Sequence, residues 1–315
     1  MSIARAVASS VLVSTLPNLV LFLVPSDVFT SSREKGKKQQ RVNILHVLLL
    51  FASGGLLGDV FIHILPELLG AHSHDYSKHD HDNHDHQKHD GEHHNIFIGA
   101  LVLAGFLMFF VAEMVVQSYL SKNTSASSKA SPKKRATNNS KKTGTDDNKS
   151  SISLLDSMTR VLDKVTSIGW LNIAADSMHN FTDGVALGAT VGSGGSLASA
   201  TFLSILIHEI PHELGDVTIL MSNGLSKWEA VKTQFLTAIA ALLGTLLGFY
   251  FNSNKFYEEI LLSVTAGGFL YIATVGIIPL ILSDSKGENS TTQIVCNALA
   301  FCVGIFLMVI VAILE

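Results

Sequence analysis

The sequence is poor in charged residues and in cysteine. Asp, Glu, Lys and Arg make up 15% of the 315 residues, whereas about 25% is usual for soluble proteins. The two cysteines, Cys296 and Cys302, lie in one apolar run, so no disulfide framework can be inferred. These deficits argue against a soluble enzyme, a nucleic-acid-binding protein or a disordered scaffold. The mean hydropathy of +0.36 indicates a membrane protein instead.

The charges that are present are concentrated in three polar stretches, 26–42, 72–95 and 120–166. Between them lie apolar runs of about 20 residues, the length that a helix needs to cross a bilayer. Helices are the only element expected, because an open sheet edge is not tolerated in lipid. The sequence therefore predicts an all-α, polytopic membrane protein with eight spans, at about 3–24, 44–69, 96–118, 168–190, 198–221, 229–251, 258–282 and 293–314. Glycine pairs four residues apart predict close packing between these helices, namely Gly54/Gly58, Gly184/Gly188 and Gly244/Gly248.

Lys and Arg are distributed unevenly over the two sides of the predicted spans. Eighteen fall on one side, including five in 26–42 and ten in 120–166, and four fall on the other. Because loops rich in Lys and Arg are retained in the cytosol, the first side is expected to be cytosolic and both termini extracytosolic. A cleaved N-terminal signal peptide is not favoured, since cleavage would place Arg33 to Arg41 in the lumen.

The order of spans and polar stretches predicts three regions. Residues 1–119 hold three spans, 120–166 form a disordered cytosolic linker, and 167–315 hold five spans. Nine of the 14 histidines lie within 72–94, an extracytosolic loop in which they alternate with Asp and Lys. Neutral imidazoles in this loop would capture or buffer a transition metal outside the pore. A tolerated low-complexity spacer is the alternative interpretation.

The fourth and fifth spans carry polar runs in mid-membrane, His179-Asn-Phe-Thr-Asp183 and His208-Glu-Ile-Pro-His212-Glu213. A carboxylate at the centre of a span costs about 2.5–3.5 kcal/mol, so these helices are expected inside the bundle. Residues four apart share a helix face, which pairs His179 with Asp183 and His208 with His212. Both runs lie near the middle of antiparallel helices and are therefore expected to meet near the bilayer midplane.

These side chains predict a metal site. Imidazole and carboxylate groups suit Zn²⁺, with Fe²⁺ or Mn²⁺ as alternatives when oxygen content rises. A second, adjacent site is predicted from the residues that directly follow His179 and His208, namely Asn180 and Glu209. Asp183 could bridge the two sites. Pro211 is expected to bend the fifth span beside these sites. The candidate metal ligands are His179, Asn180, Asp183, His208, Glu209 and His212.

Other polar residues in the spans are candidates for an access path or for support of the site. In the second span, Asp59, His63 and Glu67 lie four residues apart and therefore share one helix face. A polar line of this kind is what an access path for a metal ion needs. A purely structural polar stripe is the alternative for these three. The remaining candidates are Asp176, Glu213 and Gln234.

The run His208-Glu-Ile-Pro-His212 also fits the H-E-x-x-H zinc motif of metalloproteases. An intramembrane zinc metalloprotease with Glu209 as general base is therefore the alternative function. The excess of polar groups favours a transport path, because conduction needs several moderate sites rather than one deep site. No P-loop pattern is present, which argues against ATP-driven transport. We therefore expect a transporter with no catalytic cofactor rather than an enzyme.

The two polar runs resemble the signature segments of the ZIP (Zrt/Irt-like) metal transporters. The similarity includes 51–59 in the second span and 265–273 in the seventh. The double-His, double-Glu form of the fifth span is similar to that of a largely eukaryotic branch. The resemblance implies an eight-helix ZIP bundle, a homodimer, that moves Zn²⁺ or a related divalent ion into the cytosol. It also implies a first site formed by His179, Asp183, His208 and His212 and a second that contains Asn180 and Glu209.

The chain resembles most the branch members of the endoplasmic reticulum and Golgi, which implies a location in one of those membranes. The implied partners are the metal ion, the lipid bilayer and a second copy of the chain, with no nucleic acid. One departure from the family pattern lies near the end of the seventh span. Relatives often carry Pro-Glu there, whereas this chain has Pro279 and Leu280, which puts any metal role of that position in question.

Overall fold

The computed structural model describes residues 3–23, 42–70, 86–128, 165–193, 196–251, 255–284 and 291–314. These residues form helices and no strand, and each of the eight predicted spans coincides with one long helix. The helices are α1 (Ile3–Leu23), α2 (Ile44–Gly58, Asp59–Ile64 and Leu65–Gly70), α3 (His86–Ser128), α4 (Ser167–Ser193), α5 (Ser196–Ser222), α6 (Lys227–Phe251), α7 (Lys255–Tyr271, Ile272–Ile277 and Ile278–Asp284) and α8 (Thr291–Leu314).

Among the described helices, five are long and apolar enough to cross a membrane: α2, α3, α6, α7 and α8. A shorter apolar stretch, Ile3–Leu19, lies in α1. The polar runs lie on α4 and α5, and most of their ionisable side chains are buried inside the bundle. The bundle therefore encloses the ionisable side chains of these two helices, as the cost of charge in a membrane requires.

Backbones of α4 and α6 cross in direct contact. A Cβ atom added at Gly184 would meet the carbonyl oxygen of Ala241, and one added at Gly244 would meet that of Phe181. The next glycine on each helix repeats this contact one turn further on. Small residues with four-residue spacing allow such an approach. The predicted role of these glycine pairs is therefore confirmed.

Two further helix pairs pack in the same way. A Cβ atom at Gly54 of α2 would meet the carbonyl oxygen of Phe301 in α8, and one at Gly105 of α3 would meet that of Val264 in α7. α1 packs against α4, α5 and α6. The helices thus form two groups, one of α1, α4, α5 and α6 and one of α2, α3, α7 and α8. The groups meet mainly where α2 contacts α5 and α7 contacts α4.

π-helical turns interrupt α2 over Asp59–Ile64 and α7 over Ile272–Ile277. Pro66 and Pro279 stand two residues beyond these segments. A proline lacks the amide hydrogen and crowds the carbonyl four residues earlier, which favours a wider turn. Such turns are frequent at functional sites. By contrast, α5 runs through its internal Pro211 as one helix.

The third helix is longer than the predicted span 96–118. It begins at His86, inside the histidine-rich stretch, and ends at Ser128, inside the predicted linker. Residues 71–85 and 129–164 lie outside the described residues. The metal-capturing loop and the disordered linker therefore stay predictions.

One end of the bundle, which we call the α1 end, contains the starts of α1, α5 and α7 and the ends of α2, α4 and α8. Ala6 of α1, Val191 of α4 and Ala198 of α5 belong to one buried apolar cluster there. Leu21 and Leu225 belong to another apolar cluster at the opposite end. Because α4 and α5 run in opposite directions between these clusters, their polar runs lie at the same depth.

Candidate metal site

The polar runs of α4 and α5 face each other halfway through the bundle. Nε2 of His208 lies 2.8 Å from Oδ2 of Asp183, and Nε2 of His179 lies 3.6 Å from the same oxygen. Glu209 completes the set, in which each residue offers one ligand atom and all these atoms lie within 4.8 Å of one another. Two imidazoles and two carboxylates are a ligand set that suits Zn²⁺.

A second set shares His179 and extends to α2. Asp59, His179 and His212 also offer ligand atoms that lie within 4.8 Å of one another. Nε2 of His212 lies 3.5 Å from Oδ2 of Asp59, whose side chain is fully buried, and the rings of His179 and His212 stack with centroids 4.8 Å apart. The structure therefore places Asp59 among the candidate ligands. Its four-residue spacing had made it a candidate for the access path.

The candidate ligands are grouped differently in space than along the sequence. Spacing placed His212 with the first set and Glu209 with Asn180. In the structure, Glu209 joins the first set and His212 joins Asp59. The side-chain amide of Asn180 donates to Oδ1 of Asp176, at 2.6 Å. Helical spacing predicts which residues share a face, but the crossing of neighbouring helices decides which side chains meet.

Several ligand atoms at this site have no hydrogen-bond partner among the described residues. They include both ring nitrogens of His179 and Oε1 of Glu209, and both side chains are buried. Buried polar atoms in proteins are normally hydrogen-bonded. Imidazole nitrogens and carboxylate oxygens in this condition are atoms that a bound cation would satisfy.

Phe269 of α7 forms an apolar wall beside the histidines. Its ring centroid lies 5.4 Å from that of His179 and 5.4 Å from that of His212. An apolar wall limits rotation of the imidazoles and keeps water from one side of the site. Phe269 therefore supports the geometry of both ligand sets.

Glu213 is held by neighbours on two other helices. Its Oε1 accepts a hydrogen bond of 2.8 Å from Asn18 of α1, and its Oε2 accepts one of 2.8 Å from Gln234 of α6. Both carboxylate oxygens of Glu213 thus accept hydrogen bonds from other helices. These bonds tie α5 to its group of helices.

His63 and Glu67 continue along α2 from Asp59. Nδ1 of His63 lies 3.0 Å from Oδ1 of Asp59, and its Nε2 lies 4.0 Å from Oε2 of Glu67. The ring centroids of His63 and His208 are 5.4 Å apart. The three α2 residues therefore form a continuous polar line that ends at the metal-ligand candidates.

A cavity of about 790 Å³ extends from the α1 end to this site. Its walls come from the adjoining halves of α2, α4, α5, α7 and α8. At its inner limit lie His63, His179, Asp183 and His208, and Glu67 and Glu258 also line it. In this conformation the site is accessible from the α1 end.

Two residues at the site were not indicated by the sequence. Asn18 lies in the first apolar run, where an isolated polar residue is a weak signal for a buried hydrogen bond. Phe269 is one aromatic residue among many in apolar spans, and no pattern distinguished it. Contacts of both depend on how α1 and α7 pack against the polar helices.

Comparison with known proteins bears on the two functions left open by the histidine motif. A profile of the family described as ZIP Zinc transporter matches residues 3–312. Zinc transporter SLC39A7 of Rattus norvegicus is 33% identical, over 99% of this chain and 72% of its own length. Zinc transporter zipt-7.2 of Caenorhabditis elegans is 36% identical, over 98% of this chain and 65% of its own length. Zinc transporter ZIP13 of Mus musculus is 33% identical, over 85% of this chain and 70% of its own length.

The family profile covers the described helices from α1 to α8 and includes both polar runs. The expectation of a transporter rather than an enzyme is confirmed, and the protease alternative has no support. The apolar helices and the family agree on an integral membrane protein. The chain belongs to the ZIP family of zinc transporters.

Proposed function

We propose that the protein carries Zn²⁺ into the cytosol, from the lumen of the endoplasmic reticulum or Golgi, through the site between α2, α4 and α5. The proposed topology has eight membrane crossings with both termini extracytosolic, which follows from the unequal distribution of Lys and Arg. On this topology the α1 end faces the lumen, and the cavity of about 790 Å³ admits the ion from there. The metal gradient rather than ATP drives the transport.

The observation that carries this proposal is the pair of overlapping ligand sets that share His179. One set offers imidazole and carboxylate groups from α4 and α5, and the other adds Asp59 from α2. An ion can exchange between the sets without losing all its ligands at once. Transport requires sites that bind well enough to accept an ion and weakly enough to release it, and adjacent sites satisfy both conditions.

Asn180 contributes to this path as a neutral ligand. Its amide nitrogen is engaged by Asp176, which orients the side chain and leaves its oxygen as the group for a cation. We propose that Asn180 and Glu209 hold the ion next to the first set, as the resemblance to ZIP transporters implies. His63 and Glu67 form the access path on the luminal side.

Zn²⁺ is the proposed substrate ahead of Fe²⁺ or Mn²⁺. The ligand sets contain three imidazoles, from His179, His208 and His212, and imidazole favours Zn²⁺ over Mn²⁺. The family and the names of its relatives are consistent with zinc. We also propose the homodimer that the resemblance implies, in which each copy contains a complete site.

Zinc uptake by the purified protein in liposomes that contain a fluorescent chelator tests this function. His208→Ala is expected to reduce the initial rate to background, because it removes a ligand of the first set. His46→Ala, a histidine near the start of α2 and outside both sets, is the matched control and should transport at the wild-type rate. Equal flux in wild type and His208→Ala would contradict the site assignment.

A further inference from the structure

Three more carboxylates lie on the side of the histidines away from the cavity. Asp176 precedes His179 by about one turn of α4, and Glu213 and Asp216 follow His212 on α5. All three side chains are buried, and in the described part of the chain none forms an ion pair with Lys or Arg. Asp216 interacts electrostatically with Asp176 and Glu213 and lies beside Asn172.

Uncompensated carboxylates at this depth are costly. Each costs about 2.5–3.5 kcal/mol on insertion scales, and buried charges are normally paired or bound to metal ions. The nearby amide of Gln234 donates a hydrogen bond to Glu213 but carries no positive charge. A proton or a metal cation is therefore the partner that the local chemistry requires.

The carboxylates of this cluster differ in their availability. Glu213 is engaged at both oxygens by Asn18 and Gln234. Asp176 accepts from Asn180 through Oδ1, and its buried Oδ2 has no hydrogen-bond partner among the described residues. Asp176 thus offers an oxygen to a cation, while Glu213 adds negative charge from a fixed position.

Glu209 connects this cluster with the histidine site. It belongs to the set of His179, Asp183 and His208, and it also interacts electrostatically with Asp176 and Asp216. Its buried Oε1 has no hydrogen-bond partner in the part of the chain that the structure describes. A carboxylate in this position can follow an ion from one group of ligands to the next.

The cluster is closed to the large cavity. That cavity ends at the histidines, and neither Asp176 nor Asp216 lines it. Asp216 instead borders, with His212, a small cavity of about 10 Å³ between α2, α5 and α8. A volume of that size accommodates about one water molecule. The cluster therefore occupies the next step inward, beyond the ligand sets that the luminal cavity reaches.

We propose that Asp176, Asp216 and Asn172 form an inner cation site that receives the divalent ion from the histidines before its release to the cytosol. This proposal rests on the proposed zinc transport. The inner site contains only oxygen donors, which hold Zn²⁺ less tightly than imidazole does, so the ion is released from it more readily.

Only the two histidine-containing sets, among the described residues, already have their ligand atoms within 4.8 Å of one another. The inner carboxylates must therefore approach each other as the ion enters.

Asp216→Asn and Asp176→Asn remove one charge each with little change of shape. Glu113→Gln is the matched control, because Glu113 is an intramembrane carboxylate of α3 that accepts from Tyr271 and Gln117, away from the site. Both Asp variants are expected to lower the maximal zinc uptake rate about tenfold or more, with KM for luminal zinc changed by less than about twofold. Glu113→Gln should match the wild type.

Zinc binding to the detergent-purified protein, measured by equilibrium dialysis, separates this inference from the proposed function. The wild type should bind one more ion than Asp216→Asn. Wild-type maximal rates in both Asp variants would overturn the inner site, and so would a raised KM with an unchanged maximal rate. Absence of uptake by the wild type itself would refute the transport function instead. Should Asp216→Asn not fold, Asp216→Glu, which keeps the charge, is expected to retain more activity than Asp176→Asn.

Discussion

The Asp183 carboxylate lies 2.8 Å from Nε2 of His208 on the neighbouring helix. This contact joins the two polar runs, and the same oxygen lies 3.6 Å from His179. Asp183 therefore supplies the negative charge around which the two imidazoles are placed. Buried groups of this kind orient metal ligands as well as binding the ion.

Replacement of Asp183 by Asn should nearly abolish transport. The amide keeps the size of the side chain but removes its charge and offers a donor to a nitrogen that needs an acceptor. We expect a decrease in zinc uptake of about 10–100-fold, the range seen when groups that orient metal ligands are lost. The measurement is the initial rate in liposomes, with Asp284→Asn at the end of α7 as control. A wild-type rate would show that the carboxylate contributes no ligand.

A substitution of Asp59 tests whether this residue binds the ion in the site or belongs to the access path. As a ligand with His179 and His212, it should contribute to zinc affinity at every concentration. We therefore expect Asp59→Asn to raise KM and lower the maximal rate, each by about tenfold. Glu67→Gln, at the exposed end of the same polar line, should raise KM alone. Identical kinetics for the two variants would place Asp59 in the access path.

Adjacent glycines in α2 allow a matched test of helix packing. A Cβ atom at Gly54 would meet the backbone of Phe301, whereas one at Gly55 would meet nothing within 4 Å. Gly54→Ala is expected to destabilise the protein by about 1–3 kcal/mol, because it forces α2 away from α8. Gly55→Ala should be neutral or slightly stabilising. Thermal unfolding in detergent measures both, and equal stability of the variants would contradict the close crossing.

Glu213 should be important for stability through its two hydrogen bonds. In Glu213→Gln one carboxylate oxygen becomes an amide donor that faces the donor of Asn18 or Gln234. A buried donor left without an acceptor costs about 1–3 kcal/mol. We expect a lower unfolding temperature for this variant and partial recovery in the double variant Glu213→Gln with Asn18→Asp. Simple additivity of the two changes would show that the residues do not interact.

The proposed topology can be tested by glycosylation in cells. Asn138 and Asn148 lie in sequons on the side proposed to be cytosolic, where N-glycans are not added. They should remain unmodified, whereas a sequon placed in a short extension after Glu315 should be glycosylated. Endoglycosidase treatment followed by electrophoresis gives the readout. A glycan at Asn138 would reverse the orientation and with it the proposed direction of transport.

The histidine-rich loop also has a measurable consequence. Removal of residues 72–85 should leave the maximal zinc uptake rate unchanged and lower the rate at scarce zinc, because the imidazoles concentrate the metal near the cavity. A variant in which the order of residues 72–85 is scrambled, so that the five histidines of this segment are kept, is the control. Equal rates at every zinc concentration would favour the interpretation of a spacer.

Helix positions could be predicted because their cause is local. A run of about 20 apolar residues is helical in lipid whatever surrounds it, since backbone groups have no other partners there. The glycine pairs likewise predicted close packing, and Gly184 and Gly244 bring α4 and α6 into contact. The spacing did not say which helices would pair, because a small residue permits close approach without choosing the neighbour.

The π-helical turns were less predictable. Pro66 and Pro279 are visible in the sequence, but Pro211 is equally visible and leaves α5 helical on both sides. A proline removes one hydrogen bond, and the packing of the surrounding helices decides how the backbone adjusts. In α2 this adjustment places Asp59 and His63 on the line that leads to the histidines.

The sequence by itself determined the class of protein and the chemical types in the site, because the cost of burying charge in a membrane leaves few explanations for His179, Asp183 and His208. Only the tertiary structure decided that Asp59 meets His212 and that Glu209 lies with the first ligand set. It alone also decided that Asn18 and Gln234 donate hydrogen bonds to Glu213. Spacing along one helix defines a face. Which atoms meet across that face depends on the crossing of helices far apart in the chain.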